Sequence, residues 1–155
     1  MDSLAFNRKT MIHEYTGKEV VLAEIIINEK PFAEIAAYYE KLAVEKGGEE
    51  YTGFGYIYNF AEYLYDELIS KTGIASANEP SLMICDGCYE DGCWAILVTI
   101  DETDNEVIWR GLHNHHRSKQ GQDRKYWDYS VFPEYHFEKT AYQAALEQLK
   151  AISKE

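Results

Sequence analysis

Trp94–Leu112 reads WAILVTIDETDNEVIWRGL, two runs rich in β-branched and aromatic residues on either side of Glu102–Asn105. Asp and Asn in the linking segment favour a tight turn, so the spacing predicts a hairpin with strands Trp94–Asp101 and Glu106–Leu112. Opposing Ile100 to Val107 and Val98 to Trp109 places Trp94, Ile96, Val98, Ile100, Val107 and Trp109 on one face, a platform for helices. Apolar residues on the second face as well predict a central position. The fold class implied is α+β: an antiparallel sheet centred on this long hairpin, with helices packed on one face.

Outward from the hairpin, Glu19–Asn28 (EVVLAEIIIN) is β-branched and predicts a strand. Pro31 suits a first helical position, and Phe32, Ile35, Ala36, Tyr39, Leu42 and Ala43 recur at helical spacing up to Gly47-Gly48. Tyr51–Tyr58 reads as a connection. Asn59, with Glu62 three residues on, resembles a capping box opening a helix that ends near Gly73, with Phe60, Tyr63, Leu64 and Leu68 as its buried stripe. Leu82–Cys85 predicts a short strand, Tyr135–Phe137 an edge strand, and Lys139–Ile152 a closing helix whose inner face carries Tyr142, Ala145, Leu146 and Leu149. Residues 1–18 read as a flexible lead-in and 113–131 as a long polar loop. The 155 residues suffice for one domain, 1–155, with a continuous core.

Composition bounds the function. A net charge of −12 argues against general nucleic-acid binding, which draws on clustered Lys and Arg. The charge is uneven: residues 81–109 hold seven acidic side chains and no Lys or Arg, and Arg110, Arg117, Lys119, Arg124 and Lys125 follow directly. That juxtaposition reads either as charge pairing between neighbouring surfaces or as an anion-binding patch. Thirteen tyrosines supply amphipathic rings for a binding surface or for the wet edges of the core. No apolar run approaches the ~18 residues of a membrane span, and Met1–Tyr15 lacks the apolar centre of a signal peptide, so a cytoplasmic, non-membrane protein is expected.

Three cysteines in a short span, Cys85, Cys88 and Cys93 in CDGCYEDGCW, read as metal ligands or redox thiols before a disulfide framework. Gly87 and Gly92 each precede a cysteine, where a knuckle needs close backbone approach. A tetrahedral zinc site needs a fourth ligand. The hairpin register expected above sets Cys93 opposite Asn114 and brings His113 and His115 to the same end, so the candidate zinc ligands are Cys85, Cys88, Cys93, His113 and His115. The competing reading is a tight turn with inert cysteines. His13 and His136 stand alone and read as ordinary residues.

The run of CDGCYEDGCW, VIW, HHR, WDYS (Trp127–Ser130) and FPEYHFEKTAYQAAL (Phe132–Leu146) resembles a group of small uncharacterised bacterial proteins. In that group a Cys/Gly-rich knuckle precedes a hairpin ending in a Trp, and a helix with a Tyr-x-x-Ala-Leu stretch closes the domain. The resemblance covers about residues 81–150. It implies this fold and supplies no activity or catalytic residue. The function expected is non-catalytic: a regulatory or immunity-type domain binding a protein with a basic surface, with acidic residues steering encounter and aromatic residues as anchors. The alternative is a small metal- or thiol-dependent enzyme using Cys93 and His113–His116.

Overall fold

The hairpin is the centre of the molecule. A computed structural model describes residues 1–46, 55–73, 78–89, 94–115 and 127–155. Strands β6 (Ala95–Glu102) and β7 (Glu106–Asn114) pair antiparallel in the middle of a five-stranded sheet. Strands β4 (Tyr56–Tyr58) and β5 (Ser81–Cys85) lie on one side of them and β8 (Tyr135–Glu138) forms the far edge, all antiparallel. A second sheet holds β1 (Leu4–Ile12), β2 (Glu19–Ile27) and β3 (Lys30–Pro31) in that order. Single bridges join the sheets at both margins, Asp2 to Phe137 and Leu22 to Phe60, so the strand surface curls.

Helices α1 (Phe32–Lys46), α2 (Ala61–Ser70) and α3 (Lys139–Ser153) complete the α+β fold. Ile96, Val98, Ile100, Val107 and Trp109 join the principal core, as the alternation predicts. Ala95 and Leu97, alternating with them, are fully buried too, consistent with the central position. Trp109 fixes α3 to the sheet: its indole N–H donates to the Tyr142 hydroxyl at 3.2 Å, and Phe137 meets it edge-on at 5.2 Å. The α3 start is capped by Glu138, whose carboxylate accepts from the amides of Thr140 and Ala141.

Several local expectations are corrected. Residues 1–18 are not a flexible lead-in, because β1 pairs with β2 along its full length, from Leu4 opposite Ile27 to Ile12 opposite Glu19. The connection read over Tyr51–Tyr58 contains β4, which pairs with β5. Asn59 does not form a capping box: α2 starts after Phe60 with no side-chain cap, and Asn59 turns inward. Lys71 closes α2 in the left-handed conformation, ahead of Gly73. Leu42 and Tyr63 face solvent, at 36% and 55% exposure. Residues 129–131, inside the expected loop, form a 3-10 turn. The helix stop at Gly47-Gly48 lies outside the described residues.

The hairpin register differs most usefully. Ile100 opposes Trp109 and Glu102 opposes Val107, two residues from the expected pairing, with Thr103–Asn105 as the turn. The even shift keeps the facing of these side chains. Beyond Thr99–Arg110 the pairing jumps to Leu97–His113, so β7 carries one extra residue, and Gly111 adopts φ +63° there. This is a bulge with a glycine in the left-handed region. It turns Leu112 and Asn114 inward, at 1% and 0% exposure, where strict alternation from Trp109 would have turned Gly111 and His113 inward.

A Cβ at Gly111 would meet only Thr99 Oγ1 at 3.7 Å, so the cost of a side chain here is conformational and not steric. Gly111→Ala is expected to destabilise the fold by about 1–2 kcal/mol, and Gly111→Asn, which tolerates this conformation, by less. Urea unfolding midpoints check the order; equal stability of all three proteins would refute the bulge as the cause.

Candidate functional site

Strand β5 delivers the chain to the cysteine turn. Cys85 pairs with Tyr56 at the end of β5 and is buried; Cys88 is half-buried. The chain reverses through Cys85-Asp86-Gly87-Cys88. The Tyr89 amide donates to the Cys85 carbonyl at 3.0 Å, the Gly87 amide points at Cys85 Sγ at 3.4 Å, and Tyr89 takes φ 57°. The β1–β2 turn clamps this loop from outside, with the Tyr15 hydroxyl donating to the Gly87 carbonyl at 2.5 Å.

The predicted ligand set is only partly brought together. Cys93 lies outside the described residues, as do Glu90, Asp91, Gly92, His116, Arg117, Lys119, Arg124 and Lys125. His113 opposes Leu97, which opposes Ser81, so it sits at the row where β5 begins, four residues along the strand from Cys85. That is roughly 13 Å along the strand direction. Its Nδ1–H donates to the Gly111 carbonyl at 2.6 Å, and Nε2 lies 3.3 Å from Glu79 Oε2. The register shift and the bulge are the reason: together they set His113 opposite Leu97, and the bulge turns it to the face away from the helices. His115 follows directly after β7, two residues further along the chain than His113. Among the described residues no group of three His, Cys, Asp or Glu side chains is placed to hold a metal ion. Arg110 pairs with Asp101 on the neighbouring strand, which fits internal charge pairing for that member of the basic run.

Beside the cysteine turn opens a groove of about 1020 Å³, lined by the start of β2, the start of α2, Cys88 and Tyr89, and the end of α3. Four aromatic rings face it: His13, Phe60, Tyr63 and Tyr89. His13 and Tyr89 centroids are 4.5 Å apart, and Phe60 meets Tyr63 edge-on at 5.7 Å. Its carboxylates are Glu19, Glu62, Glu67 and Glu155, with no Lys or Arg among the described lining residues. Glu67 is committed to the scaffold, accepting from Asn59 Nδ2 at 2.7 Å and from the Ser81 amide at 3.1 Å. Glu155 pairs with Arg8 at 2.8 Å.

A second polar centre is sealed in the core. Glu40 of α1 is 1% exposed, and its Oε2 accepts from the hydroxyls of Tyr56 at 2.9 Å and Tyr129 at 2.7 Å. Asn114 Nδ2 donates to the Tyr56 hydroxyl at 2.9 Å. One carboxyl thus ties α1 to β4, to β7 and to the 3-10 turn. Burial pushes Glu40 up to about 7, and the two phenol hydrogen bonds pull partly back. Burial, with Glu40 beside it, also raises Tyr129.

Sequence reasoning did not single out Glu40, Tyr129 or Tyr89, and it read His13 as an ordinary residue. For Glu40 a signal exists: it stands four residues from both Ala36 and Val44, on the buried stripe of α1. No comparable signal brings His13 to Tyr89, which is a contact between separate turns. Comparison with family models, with curated proteins and with solved structures gives no match.

The buried acid makes stability pH-dependent. Its folded value of about 7 lies above the ordinary 4.5, so its stabilisation is complete below pH 4.5 and is lost as pH rises through 7. Across that window the loss is about 3 kcal/mol. Glu40→Gln keeps a carbonyl to accept both phenols and cannot ionise. The wild type is therefore expected to lose about 3 kcal/mol relative to Glu40→Gln between pH 4.5 and 8, measured by urea unfolding at several pH values. A pH-independent difference would refute this role.

Proposed function

We propose that the protein is a non-catalytic protein-binding domain, regulatory or immunity-type, that docks a partner with a basic surface on the acidic, aromatic groove. The observation that carries this reading is the lining itself: four carboxylates and four aromatic rings, with no described Lys or Arg, on a chain of net charge −12. Like charge around the groove steers a basic partner toward it, and exposed rings such as Tyr63 give the contact area that anchors complexes. The setting that goes with this reading is bacterial and cytoplasmic. The enzymatic alternative built on Cys93 and His113–His116 has less support, since one ring nitrogen of His113 is occupied by the Gly111 carbonyl.

In this reading the cysteine turn is a wall of the groove. A structural zinc ion on Cys85, Cys88 and Cys93, with His115 as the nearer histidine, would stiffen that wall. Elemental analysis of protein purified without chelator or tag tests it. One zinc per chain, removed by chelator together with the fold, is expected. Fully stable metal-free protein overturns the zinc site.

Docking is tested by charge reversal. Glu19→Lys with Glu62→Lys in the groove is compared with Glu34→Lys and Glu134→Lys, which line a separate depression and change net charge equally. A basic protein recovered from native extract at low salt is expected to bind the groove variant roughly tenfold or more weakly and the control variant nearly as wild type. Equal loss in both variants would show a general charge effect and overturn the groove as the docking site.

A further inference from the structure

The groove is more specific than its charge. Its histidine is held in one orientation: Nδ1 of His13 accepts from the amides of Tyr15 at 3.2 Å and Thr16 at 3.3 Å, so the ring presents its face and its Nε2–H edge to the groove. His13 and Phe60 lie nearly parallel, 19° apart with centroids 6.5 Å apart, and Tyr89 leans on His13 at 57°. The Tyr15 hydrogen bond to Gly87 and the Tyr89 amide bond to Cys85 fix the turn that carries Tyr89.

Around these rings the four carboxylates differ in availability. Glu67 and Glu155 are committed, as described, whereas Glu19 and Glu62 are in no ion pair among the described residues. Glu62 sits in the first turn of α2, where the amide end of the helix stabilises a carboxylate and offsets part of its charge. A bare cation would gain little at that helix end. A group that lays a flat face on aromatic rings and turns N–H donors toward carboxylates gains at both, and that description fits a guanidinium better than a compact, strongly hydrated ammonium.

We infer that the groove is a subsite for a single arginine side chain of the basic partner, its guanidinium resting on the His13, Phe60 and Tyr89 rings and its N–H fork directed to Glu62 and Glu19. This rests on the docking reading and narrows it from a charged surface to one anchor residue.

The test titrates N-acetyl-arginine amide, and its lysine and citrulline counterparts, into the intact protein followed by NMR. A lone side chain binds weakly, on the order of millimolar. The arginine compound is expected to shift resonances of His13, Glu62 and Tyr89, and the lysine compound to bind several-fold more weakly. Citrulline, which keeps the shape and lacks the charge, should leave those resonances in place. Glu19→Gln with Glu62→Gln should weaken the arginine compound at least about fivefold, and Glu34→Gln with Glu134→Gln should not. Equal binding of the lysine or citrulline compound, absence of arginine binding, or indifference to the groove variant overturns the subsite. Groove-dependent capture of a basic protein alongside any of these results keeps docking and removes only the arginine anchor, whereas loss of that capture removes the docking reading itself.

Discussion

One extra residue in β7 decides which side chains of the central hairpin meet the helices. With Gly111 in the left-handed region, Trp109, Leu112 and Asn114 all point to the core, a spacing that regular alternation cannot produce. Asn114 inside the core requires a partner, because a buried amide left without hydrogen bonds costs on the order of 1–3 kcal/mol. It finds the Tyr56 hydroxyl, whose proton goes to Glu40, and Glu40 takes a second proton donor from Tyr129. The bulge and the buried acid are therefore one arrangement. Residues at 40, 56, 114 and 129 are held together by a chain of hydrogen bonds that exists only if β7 has turned.

A second buried network does the same work at the start of β5. Asn59 donates to Glu67 and to the Ser81 carbonyl, and the Ser81 amide returns to Glu67, so α2 is fastened to the start of β5. Gly73 lets the chain leave α2 closely, since a Cβ there would lie 2.1 Å from the Glu79 carbonyl oxygen. With β5 held at Ser81 by one network and β4 at Tyr56 by the other, the cysteine turn leaves the sheet in a fixed direction. The Leu22–Phe60 bridge holds the opposite wall, and the groove is the space between.

Periodicity exposes what is driven by burial on one face. Helices α1 and α3 were legible for that reason, whereas the hairpin and β2 were legible through their β-branched and aromatic content. Strand β1 was not: of its nine residues only Phe6 is fully buried, so LAFNRKTMI shows no alternation to read. The register of β6 and β7 was missed by two residues because composition does not distinguish a turn closed by Asp101 opposite Glu106 from a tighter one closed at Thr103, whose amide donates to the Glu106 carbonyl. That shift and the one residue added by the bulge together set His113 opposite Leu97, three residues along β6 from the position expected for it. Glu40 lay on the apolar stripe of α1 in plain view, but a glutamate beside Lys41 reads as solvated unless its partners are known, and those lie 16 and 89 residues away.

The contrast between the two polar centres bears on binding versus chemistry. A carboxyl poised near neutrality suits acid–base catalysis only where a substrate can reach it. Glu40, the group so poised, is 1% exposed and spends one oxygen on two phenols that stitch the core. The groove has the opposite character: its rings and two of its carboxylates are reachable, and its histidine has one nitrogen occupied by backbone amides. Aromatic faces and uncommitted acids suit the recognition of a cation proposed above. The shifted acid holds the frame and the accessible acids face outward, a separation of roles that supports the recognition reading proposed above.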